Sequence, residues 1–409
     1  MRVQYITAAI LFLVTASQVK SQTATEGDTL YNNSFQYSLF PGLSTNGLQA
    51  PKYTNEFSLN FFAGENGGVE GFEMGFVNII NYNVRGAQLG LTNIVKGDLT
   101  GAQIAALVNV AGTQSSSIQL AGLVNVNIDS SSMGSQLAGL VNVYTGDLTG
   151  LQGAGIYNQA GEVKGIQSSG LVNHGGKLHG AQFAGLVNHS LDDADGAQFA
   201  GLVNQNGGHM NGGQFAALFN HSESIFGTQV ALVNHTNHLT GSQIGLINVA
   251  DSAKNGVPIG FMSFVKNGHK SVDLGANEVL YGQLGFRTGV NAFYNIIVAG
   301  SNFTPDDYIW SFGYGIGSRV PWGKNNAVEL EVIAYHMNEG SNFTNELNLL
   351  SRFNSNISIG LGERLSIYMG LSFNFYITEI YDFENGLIGT DFGFEAIDEG
   401  KFEDTVDDY

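Results

Sequence analysis

The chain has 409 residues and a formal net charge of −19, with 43% apolar and 12% charged residues, 56 glycines, 5 prolines and no cysteine. This composition excludes a disordered chain and an ordinary helical domain, and it excludes disulfides, thiolate metal sites and a lipid-anchor cysteine. The acidic balance argues against nucleic acid or an anionic membrane surface as partner.

Residues 1–21 read as a secretory signal peptide, with Arg2 as a short basic start, an apolar run from Ile6 to Ala16, and small residues at Ala16, Ser17 and Ser21 for cleavage. The run is shorter than the ~20 residues that span a bilayer as a helix. Without Arg2 and Lys20 the remaining chain holds 14 basic against 35 acidic residues. No later segment is apolar enough for a helical span, so membrane insertion would have to use β-strands. In 22–70 the segments Gln36–Phe40 and Phe57–Phe62 resemble the aromatic strands near the C-terminus, and they are expected to join that sheet.

Residues 71–256 hold a repeat. The phrase GAQFAGLVN occurs twice between Gly180 and Asn204, and related copies place an Asn at 78, 93, 109, 125, 142, 158, 173, 188, 204, 220, 234 and 248. A Gln precedes each, at 88, 103, 119, 136, 152, 167, 182, 198, 214, 229 and 243, with Glu73 in the first copy. A period of about 15 residues is too short for a helical repeat, and the Gly, Asn and β-branched content favours short strands. Proline is absent from Thr54 to Val257, as continuous strand pairing requires.

Two all-β architectures fit this array. A β-solenoid is favoured, because the connections do not alternate between short and long, and an up-and-down barrel or meander is the alternative. In a parallel stack Asn173, Asn188, Asn204 and Asn220 lie over one another, as do Gln182, Gln198 and Gln214, and their amides form ladders. Leu99, Val163, Leu178 and Leu239 are expected to fill the interior. The copies GTQVALVN and GSQIGLIN lack one residue, which a bulge would absorb.

Residues 257–380 form an aromatic-rich antiparallel region of barrel-type strands. Ile367, Met369, Leu371, Phe373, Phe375 and Ile377 alternate with polar and small residues over a length that suits a membrane strand. A soluble sheet with one face on its core alternates in the same way. The tail 381–409 carries ten acids and one Lys and reads as a solvated end.

Copies of G-x-Q-[LIF]-A-G-L-V-N, followed by GLINVADSAKNGVPIGFMSFVKNG and aromatic strands, resemble the bacterial surface repeat-containing proteins, exported proteins of Gram-negative bacteria. The likeness covers roughly Phe57 to Gly317. It implies placement at the cell surface or outer membrane and carries no catalytic residue.

Chemistry-bearing motifs are few. GYGIGS at Gly313–Ser318 lies inside an alternating strand with no helix following, so it is no nucleotide loop. LDDADG at Leu191–Gly196 has Leu in the first ligand position of a calcium loop. Only nine acids and four bases occur between Gly71 and Ala250. No catalytic residue or cofactor is expected.

Histidine is the exception. His174, His189, His221 and His235 each follow the motif Asn, with Gln205 in that place in the intervening copy. In a parallel stack they form a broken column able to hold Zn²⁺ or Ni²⁺ or to respond to pH. Alternatively they are polar turn residues copied with the repeat. The sequence therefore points to an exported, non-enzymatic scaffold or binding element of the outer membrane or surface, with protein or glycan as candidate ligand. The rivals are a channel formed by repeats and C-terminal strands together, and a polysaccharide-active solenoid, which needs an acidic groove.

Overall fold

The computed structural model describes residues 30–128, 132–305, 308–323, 325–362, 364–382, 387–390 and 392; the expected signal peptide and most of the acidic tail lie outside them. Strand makes up 77% and helix 2%. The chain divides into two units, residues 1–256 and 257–409.

The first unit contains a parallel β-solenoid of about 12 turns. One turn contributes a longer strand, Leu178–Ala184, and a shorter one, Val187–Ser190; the next contributes Ala194–Ala200 and Val203–Asn206. Like pairs with like: Gln182 lies beside Gln198 and then Gln214, and Asn173 beside Asn188, Asn204 and Asn220. The barrel or meander is therefore not the form adopted, and the repeats do not supply antiparallel strands to a channel.

The glycine that opens the phrase in every copy but one, where Ser117 stands, has a physical cause. Gly180 has φ of +140°, and a Cβ there would lie 2.0 Å from the carbonyl oxygen of Gly165 one turn below. Only glycine tolerates both constraints. The short copies keep strand register: the offset of 14 residues holds from Phe219 against Val233 to Val230 against Ile244. The corner between the two strands loses the residue, so no bulge forms in the strands.

Leu99, Val163, Leu178 and Leu239 are buried as expected. They share the interior with the amide columns, every motif Asn and Gln of which is fully buried. The large side chains of the phrase face outward instead, among them Phe183, Leu186, Phe199 and Leu202.

Tyr31–Phe40 pairs in parallel with Tyr53–Asn66, and that strand with Gly68–Ile80. These N-terminal strands are the first courses of the solenoid sheet and do not join the C-terminal sheet. Aromatic stacking reveals why: Phe35 lies over Phe57 at 5.6 Å and Phe57 over Phe72 at 6.0 Å, a self-stacking column without the repeat phrase.

The second unit contains a seven-stranded antiparallel sheet in sequential order, from His269–Gly275 to Ser366–Thr378. One face buries Tyr294, Ile296, Val298, Ile333, Tyr335 and Met337. The first and last strands approach through side chains, Tyr368 Oη donating to Asp273 Oδ2 at 3.4 Å.

Candidate functional site

Three features contain buried polar chemistry. The first is the pair of amide ladders. Each Gln Nε2 donates to the Oε1 of the Gln one turn earlier at 2.7–2.9 Å, from Gln103 to Gln243. Each Asn Nδ2 donates the other way, to the Oδ1 one turn later, at 2.8–3.1 Å from Asn78 to Asn234. The two columns of amide dipoles thus run in opposite senses and offset one another. The second Asn hydrogen is also used: Asn188 Nδ2 reaches the Phe199 carbonyl at 2.7 Å.

Glu73 closes the Gln column. Gln88 Nε2 donates to its Oε2 at 2.7 Å, while Asn60 and Asn66 donate to Oε1 at 2.8 and 2.6 Å. All these neighbours are donors, so the column end needs two acceptor oxygens. A glutamine would turn its own N–H toward one set of them. Asn60 also donates to Asn78 Oδ1 at 2.8 Å and so links the two ladders. Burial raises the Glu73 pKa to about 7, against the lowering pull of the hydrogen bonds from Gln88, Asn60, Asn66 and Ser58.

The second feature is the histidine column. Strand register pairs His174 with His189 and His221 with His235, and Gln205 lies between the two pairs. The Nδ1 atoms are 3.0 Å apart in the first pair and 2.8 Å in the second. One ring in each pair donates and the other accepts. Burial holds His174, His189 and His221 below the usual imidazole pKa, with the neighbouring ring adding to the shift at His174 and His221. Among the described residues no group of three or more His, Asp or Glu side chains is placed to hold a metal ion. A cation at this column would have two imidazole nitrogens as its protein ligands. Off the column, His179 lies between Glu162 at 3.1 Å and Asp195 at 3.2 Å, one acid on each neighbouring turn.

The third feature is the interior of the C-terminal sheet, which spacing in the sequence does not announce. Arg287 binds Glu331 through Nε at 2.7 Å and Nη2 at 3.0 Å, and it also contacts Asp273. Tyr294 Oη donates to Glu331 Oε1 at 2.9 Å. Arg352 Nη2 reaches Glu278 at 2.8 Å. Asp273, Arg287, Glu331 and Arg352 line a cavity of about 200 Å³ with Asn356 and Tyr368. The opposite face is apolar: Leu274, Met369 and Leu371 are 82, 78 and 83% exposed.

No protein-family model, curated protein or solved structure matches the chain.

Proposed function

We propose that the protein is an exported, non-enzymatic scaffold and binding element of the outer membrane or cell surface, with the C-terminal sheet seated in lipid. One observation carries this reading: the sheet turns apolar side chains such as Leu274, Met369 and Leu371 outward, while Arg287, Asp273 and Glu331 lie inside beside its apolar core. A water-facing antiparallel sheet turns polar side chains outward, whereas membrane strands turn apolar ones outward. Its strands Ile309–Trp322, Asn326–Glu339, Asn348–Gly360 and Ser366–Thr378 have 13 or 14 residues, more than the ~9–11 that cross a bilayer. The ladders suit a scaffold, since they fix the turns through neutral amides.

Fractionation of cell envelopes tests it. The chain is expected in the outer-membrane fraction and resistant to carbonate extraction. Recovery as a freely soluble periplasmic protein would overturn the reading.

A further inference from the structure

The outer edge of the solenoid has a feature that neither the ladders nor the C-terminal sheet accounts for. Two positions before each motif Asn stands one large apolar residue per turn, unbroken from Phe76 through Leu123, Leu171 and Leu218 to Leu246, and every one is exposed. Just after each Gln runs a second apolar column, in which Phe183, Phe199 and Phe215 stack at 5.2 and 4.9 Å. Small residues such as Ala184 and Gly185 separate the columns. From the residue before each Gln to the motif Asn, no turn carries a charge except at buried Glu73. In a chain of net charge −19 this is a long uncharged strip.

Its size reaches the top of the range seen on solitary soluble surfaces. Twelve turns at ~4.8 Å give roughly 58 Å of length, and the four residues across it give a width of about 10 Å. That is about 600 Å² per copy, the upper end of the ~300–600 Å² of the largest apolar patch on a typical monomer, a size that is often functional. Two such strips face to face bury about 1,200 Å², the size of a specific interface.

We propose that this strip is an interface between two copies of the chain, packed side by side with their solenoids parallel. An uncharged strip lets two acidic chains approach without burying like charges. The parallel sense follows from the second column, which is interrupted at Gly153 and Ser168, in the sixth and seventh of the twelve turns. A twofold axis along the solenoid sets each column against the other column of the second copy, turn for turn. Ile156 and Leu171 of each copy then lie over the other's gap. The antiparallel arrangement sets gap against gap and leaves a void, which costs packing.

The absence of cysteine makes the test clean. Full-length Phe199→Cys and Leu202→Cys variants, mixed and mildly oxidised in envelopes, are expected to form a heterodisulfide dimer. Leu123→Cys mixed with Leu202→Cys, the combination that antiparallel packing brings together, is expected to form no heterodisulfide. The purified chain should sediment as a dimer in detergent, and Leu202→Glu should weaken the dimer at least tenfold without changing the melting temperature of the array. A monomer in both assays overturns the proposal. So does a bimane on Leu202→Cys that is quenched by spin-labelled lipid, which would assign the strip to the bilayer, and so does cross-linking of the Leu123→Cys and Leu202→Cys pair.

Discussion

The solenoid and the C-terminal sheet both enclose polar groups, yet they choose opposite chemistries. The solenoid buries neutral amides and the sheet buries guanidinium and carboxylate. In-register repetition explains the difference. Parallel in-register repeats place every residue over its own equivalent, so a buried polar group must satisfy a copy of itself. Asn and Gln amides do so because each has a donor and an acceptor, whereas a buried charge would meet a like charge one turn away. The antiparallel sheet has no repeat to stack, so unlike residues meet in its interior: Arg287 reaches Glu331 three strands away and Asp273 on the neighbouring strand. Glu73 marks the boundary of the rule, since the end of a ladder has no equivalent beyond it and needs only acceptors.

The largest expected effect breaks the sheet side of this comparison. Glu331→Ala strands the buried Arg287 and removes the acceptor of Tyr294, which should destabilise the sheet by about 3–5 kcal/mol. Arg287→Met combined with Glu331→Leu should recover most of that loss. Guanidinium unfolding in detergent measures both, and equal midpoints for the single and double variants would refute the pairing argument.

At the solenoid's acidic cap the effect is smaller and depends on pH. The folded Glu73 pKa of about 7 lies above the ordinary glutamate value of 4.5. The folded state therefore holds the proton more tightly than the unfolded chain does. The resulting stability is present in acid and is lost as pH rises through about 7, a change of at most about 3 kcal/mol. Melting temperature should fall from pH 5 to 8 in the native chain, and Glu73→Gln should remove that component of the slope. An unchanged slope in the variant would contradict this account of the cap.

The smallest effect concerns the histidines, where like again meets like. Zn²⁺ is expected to bind weakly at His174 with His189 and at His221 with His235, after one ring of each pair shifts its proton to Nε2. Calorimetry at pH 7.5 should find two sites, one after His174→Gln with His189→Gln, and none when all four are Gln. Identical heats from the native and fourfold variants would leave the column as turn residues.

The ladders were legible because their period is written twelve times, and in-register stacking follows from the period alone. The histidine pairs and the gap at Gln205 followed from the same logic. The N-terminal strands are not legible as solenoid because Phe35 and Phe57 stack onto Phe72 of the first copy from segments that lack the phrase. Alternation in Ile367–Ile377 identified two faces but cannot say which is inside, since an inverted sheet has the same period. Arg287 and Glu331 are 44 residues apart, with no local pattern joining them. Glu73 stood out as the lone acid in a Gln column, and its role as an acceptor cap emerged once Asn60 and Asn66 were seen to converge on it.

The central claim, that buried groups in the array must be complementary to themselves, is tested most directly by Asn188→Asp. Asn188 accepts from Asn173 at 3.0 Å and donates to Asn204 at 3.0 Å and to the Phe199 carbonyl at 2.7 Å. A protonated Asp retains one donor and an acceptor, whereas an ionised Asp turns its charge on two acceptor oxygens. Burial raises the pKa of such a group, so stability is present in acid and lost as pH rises. Thermal unfolding should show the variant close to the native chain at pH 4.5 and roughly 3 kcal/mol less stable at pH 8. Asn188→Leu, which cannot ionise, should cost about 1–3 kcal/mol at both pH values. An Asn188→Asp chain that melts with the native protein at pH 8 would contradict the account.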